Sequence, residues 1–319
     1  ARTAEDLLKA SDMALYAAKG VSRRTLRFFD RQMDHRARHK LTLLGDIRDS
    51  LRRGEFAVVY QPQIDLASGR LAGFEALVRW HHPDRGLLAP ADFVALAEES
   101  GLIVPLGLWV LDRACADAAS WPGDYRVAVN VSAAQLARSD VQQAVGLALS
   151  RSGLDSPRLE LELTESSVMH DSDATLAALR ALRRSGVGIA LDDFGMGYSS
   201  LASLQHLPVD KLKIDRSFVR TLADADGGSS LAVARTIAQL AQTMGFQTTA
   251  EGIETEAQRD VLQQLGCTFG QGYLFARPLS SDATQTYIAA SASRGAGTRA
   301  PGTASQPAHP NASAHIRLS

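Results

Sequence analysis

The sequence predicts an α/β fold, a (β/α)8 TIM-like barrel, on three observations. Strand-like runs recur about eight times over roughly 230 residues, with helical patterns between most of them. Several runs set a Leu or Val face against a face of acids, amides or lysines, a period of two that belongs to strands. Acids facing a barrel interior are costly without partners, and here they cluster toward strand ends, where such barrels place their chemistry.

The 319 residues allow one large barrel or two ordinary domains, and 45% hydrophobic with 22% charged residues describes a globular protein with a sizeable core. A formal net charge of −1, with no basic patch interleaved with aromatics, argues against a nucleic-acid polymer as partner. Cys115 and Cys267 lie far apart without metal-ligand spacing, which points to a reducing compartment and a cytoplasmic location. No stretch is long and apolar enough to span a bilayer, and no signal peptide is visible. Ala1 already lies inside a helical pattern, so the chain reads as a piece of a longer protein, which leaves a membrane tether upstream open.

In order, residues 1–30 read as a helix, with Leu7, Leu8, Met13, Ala14, Leu15, Ala17 and Ala18 on one side, then a short strand at Arg27-Phe28-Phe29. Residues 34–53 form an amphipathic helix with Leu41, Leu44, Ile47 and Leu51 at helical spacing. A strand at 56–62 turns at Gly69 into a second strand at 71–80, which places Glu75, Leu77 and Arg79 on one face. Residues 91–119 are helical, starting after Pro90. The strand at 126–132 sets Val127, Val129 and Val131 against Ala128, Asn130 and Ser132. After a helix at 141–152, the strand at 158–164 sets Leu159, Leu161 and Leu163 against Glu160, Glu162 and Thr164.

A helix at 174–185 leads to the central stretch, Gly188-Ile189-Ala190-Leu191-Asp192-Asp193-Phe194-Gly195. A buried strand there delivers two adjacent carboxylates to its end. The strand at 209–215 sets Leu212 and Ile214 against Lys211, Lys213 and Asp215. A helix at 231–244 precedes a strand at 246–252, where Thr249 and Glu251 share a face. A helix at 256–265 leads to the last strand, 268–275, which carries Gln271. The domain reading is 1–30 as an upstream remnant, 31–290 as the barrel and 291–319 as a disordered tail without periodicity.

Taken alone, the Asp192-Asp193 pair could be a solvated turn, and Glu75 with Arg79 an ion pair on an exposed face. Converging with Asn130, Glu162, Lys213, Asp215, Glu251 and Gln271 from separate strands, they read instead as a hard, oxygen-rich site for one or two divalent cations. Two metals clamping a phosphate, a lysine near the water and an arginine for phosphate recognition suggest phosphodiester hydrolysis. No P-loop or Gly-x-Gly-x-x-Gly fingerprint is present.

These residues resemble a known family. Glu75-Ala76-Leu77 is similar to the signature triplet of EAL-domain cyclic di-GMP phosphodiesterases. It is joined in family order by Tyr60-Gln61-Pro62, Asn130-Val131-Ser132, Glu162-Leu163-Thr164-Glu165, Asp192-Asp193-Phe194-Gly195, Lys213-Ile214-Asp215-Arg216, Glu251-Gly252-Ile253-Glu254 and Gln271-Gly272-Tyr273. The resemblance covers roughly residues 40–278. It implies a barrel whose first strand is antiparallel, in keeping with the hairpin at Gly69, and hydrolysis of cyclic di-GMP to pGpG with two Mg2+ or Mn2+ ions, Ca2+ being inhibitory.

By the same resemblance, Glu75, Asn130, Glu162 and Asp192 are ligands of one metal. Asp192 bridges to a second, shared with Asp193 and Glu251. Lys213 orients the attacking water and Gln271 completes the inner site, so Glu75, Lys213, Glu251 and Gln271 form the catalytic set. Gln61, Leu77, Arg79, Asp215 and Pro278 hold the phosphate and guanine. Glu165 braces the loop at 194–204, through which a homodimer is expected. Met196 departs from the small residue or Thr usual there, which bears on that loop's regulation. Residues 8–19 resemble the closing helix of diguanylate cyclase (GGDEF) domains, implying cyclase-like and sensor domains upstream. A catalytically silent EAL domain that senses cyclic di-GMP is the alternative, though silent members usually lack a ligand or the lysine, and none is missing here.

Overall fold

The computed structural model describes Ser11 and residues 31–169, 173–195, 204–222 and 228–296. The expectations for residues 1–10 and 12–30, for Met196 and most of its loop, and for residues 297–319 lie outside this set.

Helix α1 (Arg31–Arg53) ends at Gly54, whose φ of 71° is the left-handed conformation that stops helices at glycine. Strand β1 (Phe56–Asp65) runs into a tight turn and returns as β2 (Leu71–His82). Gly69, with φ of 69°, makes that turn, and its N–H donates to the Asp65 carbonyl at 2.8 Å. A short β3 (Gly86–Leu88) folds back onto β2. Then come α2 (Pro90–Ser100), α3 (Ile103–Ala119), β4 (Arg126–Val131), α4 (Ala133–Arg138), α5 (Val141–Ser152), β5 (Leu159–Thr164), α6 (Glu165–Met169), α7 (Asp173–Arg184) and β6 (Gly188–Phe194). The chain finishes with β7 (Lys211–Ile214), α8 (Arg216–Arg220), α9 (Gly228–Met244), β8 (Gln247–Ala250), α10 (Glu256–Gln264), β9 (Phe269–Gly270) and α11 (Ser281–Ala296).

Eight of the strands close into a barrel in the order β1-β2-β4-β5-β6-β7-β8-β9, with β9 returning to β1. β1 is antiparallel to both its neighbours and the other contacts around the barrel are parallel, as the hairpin implied. The alternation in β5 shows why this sequence closes. Leu159, Leu161 and Leu163 are fully buried in the hydrophobic core, while Glu160 and Glu162 take the other face and are buried too. Each such leucine stabilises the fold by about 1.5–3 kcal/mol. An aromatic cluster joins the hairpin to α2 and α3: Phe56 stacks on Trp80 at 5.2 Å, and Phe93 meets the Trp80 edge at 5.5 Å. Behind it, buried Tyr60 donates its hydroxyl to Asp117 on α3 at 2.7 Å.

The structure departs from the sequence expectation at three places. The last strand shrinks from 268–275 to Phe269–Gly270, because the chain turns from Gly272 on, where Phe275 N–H donates to the Gly272 carbonyl at 3.1 Å. α11 continues to Ala296, past the expected boundary at 290. Short helices α4, α6 and α8 follow directly on strands β4, β5 and β7, two of them started by side-chain caps: Ser132 accepts from Gln135 N at 3.3 Å, and Asp215 from Ser217 N at 2.9 Å. No helix among the described residues is long and apolar enough to cross a membrane.

Candidate active site

The centre of the site is a buried lysine. Lys213, on β7, is 0% exposed, and a lone ammonium there would be strongly destabilising. Its Nζ lies 2.6 Å from Glu251 Oε1, 2.7 Å from Glu162 Oε2, 3.2 Å from Asp192 Oδ2 and 3.8 Å from Glu75 Oε1. The four acids come from β2, β5, β6 and the end of β8, so barrel closure alone brings them together.

Glu75 is held from both sides by amides. Asn130 Nδ2 donates to its Oε1 at 2.7 Å, and Gln271 Nε2 donates to its Oε2. Gln63 Nε2 in turn donates to Gln271 Oε1 at 3.2 Å, fixing that amide's orientation. Burial opposes ionisation of Glu75, but the Lys213 ammonium and the two amides outweigh it and hold the carboxyl below its ordinary value.

Four acids sharing one ammonium do not all ionise easily. Burial, reinforced by the Glu75 charge, pushes Glu162 well above the carboxylate range. Burial also raises Glu251, to about 7, against the pull of Lys213. Lys213 is itself raised: desolvation disfavours its charge, yet Glu162, Glu251, Glu75 and Asp192 more than offset it. Glu162 Oε1 is buried without a hydrogen-bond partner.

β6 ends in a strained turn. Asp193 has φ of 54°, uncommon for a residue with a side chain, and donates its N–H to Asp192 Oδ1 at 2.9 Å. Desolvation and the adjacent Asp192 charge raise its pKa. Gly195, with φ of 94°, donates its N–H to Glu165 Oε2 at 3.2 Å, so Glu165 holds the exit of β6.

The EAL domain family matches residues 44–278. The chain belongs to the EAL domain family. It is 43% identical over 286 residues to the bifunctional diguanylate cyclase/cyclic di-GMP phosphodiesterase MucR of Pseudomonas aeruginosa, an alignment covering 88% of this chain and 41% of that protein. It is 41% identical over 290 residues to the cyclic di-GMP phosphodiesterase NbdA of the same organism, covering 90% and 37%. An uncharacterized signaling protein of Caulobacter vibrioides is 46% identical over 289 residues, covering 91% and 36%. The chain thus spans well under half the length of these relatives. A solved structure of the MucR phosphodiesterase in complex with c-di-GMP superimposes with a TM-score of 0.73 at 44% identity, covering 76% of this chain and 99% of that one.

In this EAL domain the triplet Glu75-Ala76-Leu77 lies on β2, where Glu75 faces Gln61 across the hairpin. Glu75, Asn130, Glu162, Asp192, Lys213, Glu251 and Gln271 are brought together; Asp193 stands at their edge, exposed. They are gathered on the lysine. Among the described residues, no three His, Cys, Asp or Glu are set to hold an ion by themselves. The donor set nonetheless suits divalent cations, because carboxylates outnumber the single ammonium and one buried carboxylate oxygen has no partner.

The residues expected to bind substrate are more dispersed. Leu77 lines a largely apolar cavity of about 320 Å3 that reaches Asn130 and Glu162. Arg79 and Pro278 line a separate hollow of about 600 Å3. Arg79 donates to its neighbour's carbonyl, Val78 O, at 2.8 Å, and burial lowers its pKa. Gln61 Nε2 donates to Ala276 O at 3.3 Å, tying β1 to the segment after Gln271. Asp215 caps α8. Sequence reasoning did not single out Gln63, although it alternates with Gln61 on β1. It also left unassigned the buried pair Glu160 and Lys211, each two residues from a site residue.

Proposed function

We propose that this EAL domain hydrolyses cyclic di-GMP to linear pGpG with the help of two divalent cations. The observation that carries the proposal is the ring of Glu75, Glu162, Asp192 and Glu251 around the Lys213 ammonium, at the C-terminal ends of the barrel strands. The names of the MucR and NbdA relatives support the substrate. Glu75, Asn130, Glu162, Asp192, Asp193 and Glu251 would hold the cations. When bound, these supply Lewis acidity to the phosphoryl oxygens and to the attacking water.

The chain's own groups do the rest. Water attacks phosphorus, the bond from phosphorus to the 3′ oxygen breaks, and that oxygen takes up a proton, which leaves a 5′-phosphate on the linear product. Lys213 orients the water and offsets charge that develops on the phosphoryl oxygens. Glu251, 2.6 Å from Lys213 Nζ, holds that ammonium in place, and the proton the water loses ends on the 3′ oxygen. Asn130 and Gln271 keep Glu75 ionised and aimed inward. Gln61, Leu77, Arg79, Asp215 and Pro278 are proposed to contact the substrate, which requires the two hollows to be bridged by one ligand.

The test is turnover of cyclic di-GMP by the purified chain with Mg2+ or Mn2+, beside Glu75→Ala. Metal-dependent release of pGpG, lost in the variant, supports the proposal. Binding without turnover would point to the silent sensor, which no feature of the site favours. We further propose, from the resemblance of residues 8–19, that a cyclase-like domain lies upstream in the full-length protein.

A further inference from the structure

Below the site lies a second buried lysine with a job to do. Lys211 is 2% exposed and Glu160 4%. Lys211 Nζ sits 2.7 Å from Glu160 Oε2 and 2.8 Å from Oε1, with the Phe269 ring centroid at 4.7 Å. The pair repeats, one layer down, the contact between Lys213 and Glu162. Both lysines are on β7 and both glutamates on β5, so each pair must reach across β6. The residues of β6 in between are small: Gly188 is in register with Glu160, and Ala190 with both Glu162 and Lys211. The result is a two-rung ladder inside the barrel, whose rungs lie two residues apart on each strand, within the length of a lysine side chain.

We infer that the Glu160–Lys211 pair is a positioning element for the reaction, keeping Lys213 on the upper rung. Matched with each other, the lower residues offer nothing to the upper ones. Remove the Lys211 charge and Glu160 becomes a buried carboxylate without a cation, a situation costly enough to draw the Lys213 ammonium down and away from the acid ring. Remove the Glu160 charge and Lys211 is driven up toward Glu162, displacing Lys213. The inference rests on the phosphodiesterase reading for its kinetic arm only.

The experiment is a double-mutant cycle on the 319-residue chain, with Lys211→Met, Glu160→Gln and the combination. It measures kcat and KM for cyclic di-GMP with Mg2+, the melting temperature, and the 1H–15N signal of the Lys213 ammonium, assigned by its loss in Lys213→Met. Each single variant is expected to lower kcat about tenfold or more with KM within about twofold. Each also shifts the Lys213 signal. The double variant, with no competing charge below, returns the signal to its original position and kcat to within about threefold of the starting protein. A double variant as slow as the singles, or kcat losses that follow melting temperature throughout, overturns the inference, since a purely structural pair would behave so. If the starting protein lacks turnover, the phosphodiesterase reading fails separately. The ammonium signal then decides: shift and return uphold the ladder, and no shift overturns it.

Discussion

Lys213 Nζ and Glu251 Oε1 are 2.6 Å apart, and they differ sharply in burial: the lysine side chain is 1% exposed, the glutamate 19%. The pair therefore links the dry interior of the barrel to its mouth, where a substrate phosphate would arrive.

Replacing Lys213 by Met removes the cation that, among the described residues, lies within 4 Å of four acids. Turnover of cyclic di-GMP is expected to fall by roughly 100- to 10,000-fold, as for loss of a central acid-base or electrostatic group. The variant should still fold when divalent cations are supplied and melt earlier in chelator, which a thermal scan under both conditions checks.

The raised pKa of Glu251 makes stability depend on pH. Its folded value of about 7 stands above the ordinary 4.5, so the native state binds the extra proton between those limits. That contribution is full below pH 4.5 and is lost as pH rises through 7. Without added metal, unfolding free energy should drop across this window by roughly 1–3 kcal/mol on account of Glu251. Chemical denaturation at several pH values, beside Glu251→Gln, should show a shallower slope in the variant. An unchanged slope would mean the proton resides elsewhere.

Asn130→Ala takes away the amide that donates to Glu75 Oε1. Divalent-cation affinity, measured by calorimetry with Mn2+, is expected to weaken about 10- to 100-fold. Equal affinity would place Asn130 outside the metal site.

Glu165→Ala removes the acceptor for Gly195 N–H at the exit of β6. A loss of about 1–2 kcal/mol in stability is expected. Hydrogen exchange at Gly195 should speed up while exchange in β5 stays slow.

Much of this was legible in the sequence, for a physical reason. A barrel strand with two buried faces must alternate apolar and polar residues if a site lies inside. The Leu-Glu-Leu-Glu of β5 and the Lys-Leu-Lys-Ile of β7 therefore announced both the core and the chemistry. The hairpin at Gly69 announced the antiparallel strand. What escaped were features set by contacts between distant segments. Past the early end of β9, Leu274 N–H donates to the Ile253 carbonyl at 3.0 Å. The role of Gln63 depends on Gln271, 208 residues away. The pairing of Lys211 with Glu160 becomes visible only when Gly188 and Ala190 are seen between them.

The most direct measurement is the rate of pGpG formation from cyclic di-GMP by the purified chain as Mg2+ or Mn2+ is titrated in and then chelated. Turnover that appears with the metal, vanishes with chelator and is absent from Lys213→Met at every metal concentration is the expected result. Turnover that persists in chelator, or survives loss of Lys213, would contradict a metal-dependent hydrolysis organised around that lysine.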